Sequence, residues 1–278
     1  MEFTGERMVP EYNAGKQIYA EHMSRYLFAT QFTVDKEVLD IACGSGYGSH
    51  LLLVEGKSKT IVGVDIAKET VDYCKEKYKS EKLSFVVGSC EEIPLPDKSF
   101  DVVVSFETIE HINNHAGFLK EIKRVLRANG ILVMSTPNAD ISQKENHFHV
   151  HEINVGEFDN MLMKHFKHLK LFYQDIGLGS YICGSEHNNF KAYSGYGELE
   201  NKGKKSTYII AVCSDMELEE IKDTSFLTGD EDIKFMKDYC VNLEKELKGI
   251  YNSKKWKLIS KMVALLKRTK KTKPEFHK

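Results

Sequence analysis

The chain has 278 residues, 41% of them hydrophobic, which suits one large domain or one domain with an appendage. Its formal charge of −2 conceals an asymmetry: residues 253–278 carry nine lysines and one arginine against Glu275 alone, a charge of +9 that leaves −11 on residues 1–252. A body of that sign excludes a general phosphate-backbone binder, so no nucleic acid partner is expected, while the basic end suits an anionic membrane face. At the N-terminus, "MEFTGERMVPEYN" lacks a basic-then-apolar signal pattern, and no apolar run approaches the roughly 18 residues of a membrane span. Cys43, Cys74, Cys90, Cys183, Cys213 and Cys240 are scattered without a C-x-x-C pair and read as reduced core thiols, which points to a cytoplasmic location.

Residues 1–35 read as a helical N-terminal segment. Between 36 and 136, apolar runs alternate with helix-like stretches: "EVLDIA" then 46–55, "TIVGVDI" then 68–80, "LSFVVG" then a loop, "FDVVVSF" then 107–127, and finally "ILVMSTP". Runs rich in Val, Ile and Leu without alternation are those of parallel strands covered on both faces, which predicts a doubly wound α/β sheet. A His- and Asn-rich stretch at 138–155, a helix over 155–166 and the strands "HLKLFYQ" and "STYIIAVCS" follow, the last two placed to close the far edge of a domain spanning 36–214. Residues 215–278 turn to charged helix. Phe226, Ile233, Met236, Cys240, Leu243, Leu247 and Ile250 keep a heptad rhythm over 226–250, either a coiled coil that makes a homo-oligomer or a helix packing its own stripe. Over 253–278, Trp256, Ile259, Met262, Val263 and Leu266 share a face amid lysines, either an interfacial helix in peripheral membrane contact or a solvated basic tail.

"VLDIACGSGYGS" puts Asp40 at the end of a strand, with Gly44, Gly46 and Gly48 before a helix. Glycines there let the backbone turn tightly and approach a ligand at the helix N-terminus. The spacing is G-x-G-x-G rather than the dinucleotide G-x-G-x-x-G, Asp40 would repel a pyrophosphate yet hold an ammonium group, and Asp65 ends the next strand where it can meet ribose hydroxyls. A ligand with an amino-acid end and a nucleoside end fits. At these residues the chain resembles the class I S-adenosylmethionine-dependent methyltransferases, over most of 36–136. "FVVGSCEEIPLPDKSFDVVVSFETIEHI" and "RVLRANGILVMSTPN" are similar to their third- to fifth-strand blocks. The resemblance implies a seven-stranded Rossmann-like sheet with a helical C-terminal extension. It also implies S-adenosyl-L-methionine held by Asp40, Ala42, Gly44, Ser45 and Gly46 at the methionine end, Asp65 and Ile66 at the ribose, Ser89, Cys90 and Glu91 at the adenine, and Phe106 beside them. Ser89 stands where many relatives carry Asp, and Ala128-Asn129 replaces Pro-Gly in the turn.

A sugar hydroxyl is a poor nucleophile unless a base or a metal removes its proton. "ETIEHI" offers the means: in a helix starting after Phe106, Glu107, Glu110 and His111 would share one face near the strand's C-terminal end. In "NHFHVHE", His147, His149 and His151 would share a side if extended. The E-x-x-E-H arrangement resembles the metal motif of small-RNA ribose 2′-O-methyltransferases and is similar to that of ubiquinone-pathway O-methyltransferases. That likeness implies Glu107, Glu110, His111 and His149 as ligands of a divalent ion; the alternatives are His149 as a metal-free general base, with His111 and Glu107 as further catalytic candidates, or structural roles for all. "FTGERMVPE" with Tyr19, His22, Arg25 and Tyr26 resembles the N-terminal lid of methyltransferases of bacterial surface-polysaccharide synthesis, and the tail is similar to segments from those pathways. The expected reaction is O-methylation of a glycan hydroxyl, in lipopolysaccharide O-antigen or capsule, at the inner membrane face. The alternatives are a small-molecule O- or N-methyltransferase acting on a quinone, nucleotide sugar or secondary metabolite, and a non-catalytic cofactor-binding scaffold.

Overall fold

The computed structural model describes residues 8–13, 17–141, 149–176, 179–184, 191–194, 197–200 and 203–227, and further on 243, 245, 247–251, 253, 255 and 256. In chain order the strands are β1 (Glu37–Ile41), β2 (Thr60–Asp65), β3 (Leu83–Val87), β4 (Phe100–Phe106), β5 (Leu126–Pro137), β6 (His168–Ile176), β7 (Gly179–Gly184), β8 (Lys191–Ser194), β9 (Gly197–Glu200), β10 (Tyr208–Ser214) and β11 (Thr224–Leu227). The helices are α1 (Pro10–Asn13), α2 (Gln17–Ala29), α3 (Tyr47–Val54), α4 (Lys68–Lys77), α5 (His115–Val125) and α6 (Val155–Met163).

One nine-stranded sheet runs β11-β7-β6-β10-β5-β4-β1-β2-β3, and β8 pairs with β9 as a separate ribbon. Strands β1 to β5 are parallel, and β10 lies antiparallel between β5 and β6. Seven of these strands, β3 to β6 in that order, are the Rossmann-like sheet expected from sequence. "HLKLFYQ" and "STYIIAVCS" are in it, but they do not close its edge, because β7 pairs antiparallel with β6 and β11 with β7. The unbroken apolar runs are explained by two cores. Leu39, Ile41 and Val103 face one cluster with Phe118, Ile122 and Phe158, whereas Val38, Val102 and Val104 face the other with Phe28, Leu52 and Val71. Each such side chain taken out of water contributes about 1.5–3 kcal/mol.

Three expectations are corrected. The helix predicted over 107–127 is α5 alone, beginning at 115 because Asn114 caps it by accepting the Gly117 N–H at 2.9 Å. The "RANG" turn is an extended, irregular part of β5, its register shifting between Phe100 and Val102. Phe226, the first heptad position, lies in β11, so a sheet ladder rather than a coiled coil takes it. The compact unit runs to Thr228, past the expected boundary at 214, since β11 belongs to the sheet; it also includes the N-terminal segment. Residues 229–278 form a second unit, in which Leu243, Leu247, Ile250 and Trp256 are exposed. Most of the heptad and of the basic end lies outside the described residues. Among the described residues no helix is long and apolar enough to cross a membrane.

Candidate active site

Between β1 and α3 the backbone turns left-handed at Ala42 (φ 60), Gly44 (φ 54) and Gly46 (φ 75). A Cβ on Gly44 would meet nothing within 4 Å, so that side of the loop is open to a ligand. Gly48 has the opposite role: a Cβ there would lie 1.9 Å from the Tyr26 ring, so its absence admits Tyr26 from α2. The Tyr26 hydroxyl reaches Asp40 Oδ1 at 3.2 Å and Ser49 Oγ donates to Oδ2 at 2.6 Å. Asp40 is 1% exposed. Burial pushes its carboxyl up to about 7, against the two hydroxyl donors that pull it down, and the charge of Asp65 adds to the rise. Such a carboxylate has its hydrogen bonds and lacks a cation, which an ammonium group would supply.

Asp65 is fixed by two backbone donors, the Gly44 N–H to Oδ2 at 3.0 Å and the Ala67 N–H to Oδ1 at 2.9 Å, which hold its carboxylate at the end of β2. Beside it Ile66 is 73% exposed, an apolar face suited to an aromatic ring. Ser89 Oγ accepts the Glu91 N–H at 3.1 Å in a turn, Cys90 is half-buried with its thiol pushed up to about 11 by burial, and Glu91 is exposed. The buried Ser45 hydroxyl donates to the Met8 carbonyl at 2.8 Å, tying the N-terminal segment to the loop, so Ser45 would meet a ligand through its backbone. Phe106 stands edge-on to Tyr26, centroids 5.0 Å apart, and backs the wall.

After β4 the expected helix face does not form. Glu107 takes φ 51 and residues 109–111 make a single 3₁₀ turn, which leaves Glu107 near Glu110 but outside the group that Glu110 and His111 form with His149. Glu107 turns instead to Ser135, whose hydroxyl donates at 2.7 Å, and to Arg25, whose Nη2 is 3.6 Å away. One carboxylate oxygen of Glu110 and one ring nitrogen each of His111 and His149 lie within 4.8 Å of one another. Glu110 is fully buried; Thr136 donates to Oε2 at 3.5 Å, while Oε1 has no hydrogen-bond partner among the described residues. Burial and the nearby Glu107 charge push its carboxyl well above the carboxylate range. The segment bearing His149 is tied down where the Val150 N–H donates to the Glu110 carbonyl at 2.8 Å. His149 Nδ1 meets Glu152 Oε1 at 2.8 Å, and its ring stands edge-on to His111 at 5.1 Å. Two imidazoles and a carboxylate with an orphaned oxygen fit a divalent ion, without Glu107. His151 is exposed beside His115, at a centroid distance of 5.7 Å, and His147 lies outside the described residues.

Sequence reasoning missed Tyr26 and Ser49 on Asp40, and Ser135 on Glu107. The signal for Ser135 was present in "MSTPN", a polar residue at the C-terminal end of a buried strand. Tyr26 reaches the site only through the fold.

Residues 39–134 match the model of a methyltransferase domain. A probable S-adenosylmethionine-dependent methyltransferase of Mycobacterium tuberculosis is 32% identical over 165 residues, which are 58% of this chain and 59% of that protein. A fatty-acid O-methyltransferase of Mycolicibacterium smegmatis is 32% identical over 112 residues, 40% of this chain and 41% of the relative. The chain thus spans about three fifths of the length of the curated relatives it matches first, 59–62% of it. A solved S-adenosylmethionine-dependent methyltransferase of Archaeoglobus fulgidus shares the fold, with a TM-score of 0.52 at 19% identity over 73% of this chain and 96% of that one. Residues 39–134 thus match a methyltransferase domain, and the sheet that carries them has the fold of S-adenosylmethionine-dependent methyltransferases.

Proposed function

We propose that this protein transfers the methyl group of S-adenosylmethionine to a hydroxyl of a glycan, in a surface polysaccharide or its lipid-linked precursor. The observation that carries the reading is the group of Glu110, His111 and His149 beyond the C-terminal end of β4, the strand adjoining the one that ends in the glycine loop. Ligands of open α/β sheets sit at that end of the strands. In this reading Asp40 holds the ammonium group of the donor and Asp65 its ribose. The acceptor oxygen attacks the methyl carbon; its C–O bond forms as the C–S bond breaks, the sulfonium becomes the neutral thioether of S-adenosylhomocysteine, and the hydroxyl proton leaves to a base. Donation of Nδ1–H to Glu152 puts the lone pair of His149 on Nε2, which makes it the proton acceptor. A divalent ion held by Glu110, His111 and His149 would instead lower the pKa of the hydroxyl. A chelator separates the two: loss of turnover that Zn²⁺ or Mg²⁺ restores supports the ion, and indifference leaves His149 as the base.

The basic residues 253–278 would keep the enzyme at an anionic lipid face where lipid-linked glycans grow, and the heptad positions after β11, over 233–250, would pair two chains. Mass spectrometry of glycans from cells with and without the chain tests the reading: one methyl group should vanish from a sugar. An unchanged glycan would overturn it. A second reading, esterification or etherification of a lipid, is favoured by the relatives named as a fatty-acid O-methyltransferase and as a phthiotriol/phenolphthiotriol dimycocerosates methyltransferase, each 32–33% identical over 112 residues. It predicts the missing methyl in the lipid extract.

A further inference from the structure

Arg25 projects from α2 into the interior and is 1% exposed. Among the described residues its Nε is hydrogen-bonded to Gln174 Oε1 at 2.7 Å, while Nη1 and Nη2 have no hydrogen-bond partner. The guanidinium lies 4.2 Å over the Tyr208 ring, which fixes its plane. Its fork points to Glu107, yet the 3.6 Å between Nη2 and Oε2 is too long for a hydrogen bond. Unmet donors of a buried charge are costly, and a ligand that accepts from them would remove that cost. Glu107 is itself strained at φ 51 and held in place by Ser135. A donor fork and a carboxylate acceptor thus lie side by side, 3.6 Å apart, just after β4.

We infer that Arg25 and Glu107 are the acceptor clamp, taking two neighbouring hydroxyls of an uncharged sugar. One hydroxyl oxygen accepts from the Arg25 fork while its neighbour donates to Glu107, so a vicinal diol satisfies both groups. A carboxylate acceptor is disfavoured, because Arg25 is already flanked by Glu107 and by Glu21, whose Oε2 accepts the Tyr208 hydroxyl at 2.8 Å. The inference rests on the glycan reading above and narrows it to neutral sugars.

Saturation-transfer NMR on the full chain with S-adenosylhomocysteine bound tests it, using neutral methyl glycosides, the matching methyl uronates, and decanoate. The neutral glycosides should bind about tenfold or more tightly than their uronates. Arg25→Lys, which keeps the charge and loses the fork, should weaken the neutral glycosides about tenfold. Glu107→Gln should narrow the gap between glycoside and uronate. Preference for uronates, or a wild-type affinity in Arg25→Lys, overturns the clamp and leaves the glycan reading standing. Saturation of decanoate with no glycoside bound overturns both.

Discussion

The two halves of the site differ in how their polar groups are settled. At the ends of β1 and β2, Asp40 and Asp65 each receive two hydrogen-bond donors from the protein, and the loop between them is held by short local contacts. After β4, Glu110 keeps an oxygen and Arg25 two nitrogens without a hydrogen-bond partner among the described residues, and Glu107 sits in a backbone conformation that disfavours a side chain. The first half is preorganised, as the proposed site of one ligand of fixed shape would be. The second carries strain and unmet groups that an acceptor is expected to satisfy, the arrangement found where binding energy is directed to chemistry.

The contrast is broken most strongly on the acceptor side. Glu110→Gln and His149→Ala should each lower methyl transfer by about 10²–10⁴-fold while S-adenosylhomocysteine affinity stays within about twofold, measured by label transfer and by calorimetry. Next in size, Asp40→Asn removes the counter-charge for the ammonium group and should weaken cofactor binding by about 10²-fold, close to 3 kcal/mol. Equal losses of affinity from both sets of variants would show that the halves are not separate.

Acidity sharpens the same boundary. Because the Asp40 carboxyl stands at about 7 in the free protein, ammonium binding must expel a proton below that pH, and affinity should fall about tenfold per pH unit beneath it. Calorimetry in buffers of different ionisation heat reads the released proton directly. The sign for folding is opposite. The native state holds this proton more tightly than an ordinary Asp at 3.8, so the group makes the unliganded fold progressively less stable as pH rises from 3.8 to about 7, and bound cofactor offsets the loss. The smallest effect concerns Ala42, whose positive φ suits glycine: Ala42→Gly should stabilise the protein by about 1 kcal/mol in denaturant titration.

The arrangement of the proposed cofactor half was legible in the sequence because its parts are local. Strand, acid, glycine loop and helix lie within 37–54, and Asp65 closes the next strand. The apolar runs revealed the parallel sheet for the same reason, since alternate residues of β1 and β4 face two cores and neither face can be polar. Glu110, His111 and His149 were legible as residue types, though not in their geometry: a helix face was expected, and a left-handed Glu107 followed by a 3₁₀ turn places Glu107 elsewhere. Arg25 could not be placed from sequence. Its neighbours Gln174, Tyr208 and Glu107 come from β6, β10 and the end of β4, between 82 and 183 positions away along the chain, and no periodicity spans such distances. The heptad misled at Phe226 because spacing alone does not register that a short strand can end a sheet there.

The central claim, that the groups beyond β4 activate a sugar hydroxyl for methyl transfer, is tested most directly by incubating the purified full chain with ¹³C-methyl S-adenosylmethionine and the lipid-linked glycan fraction of cells that lack it. The account predicts one new O-methyl resonance on a sugar, with S-adenosylhomocysteine formed in equal amount, and its loss in His149→Ala. Label found in a fatty ester, or none transferred while the cofactor binds, would contradict it.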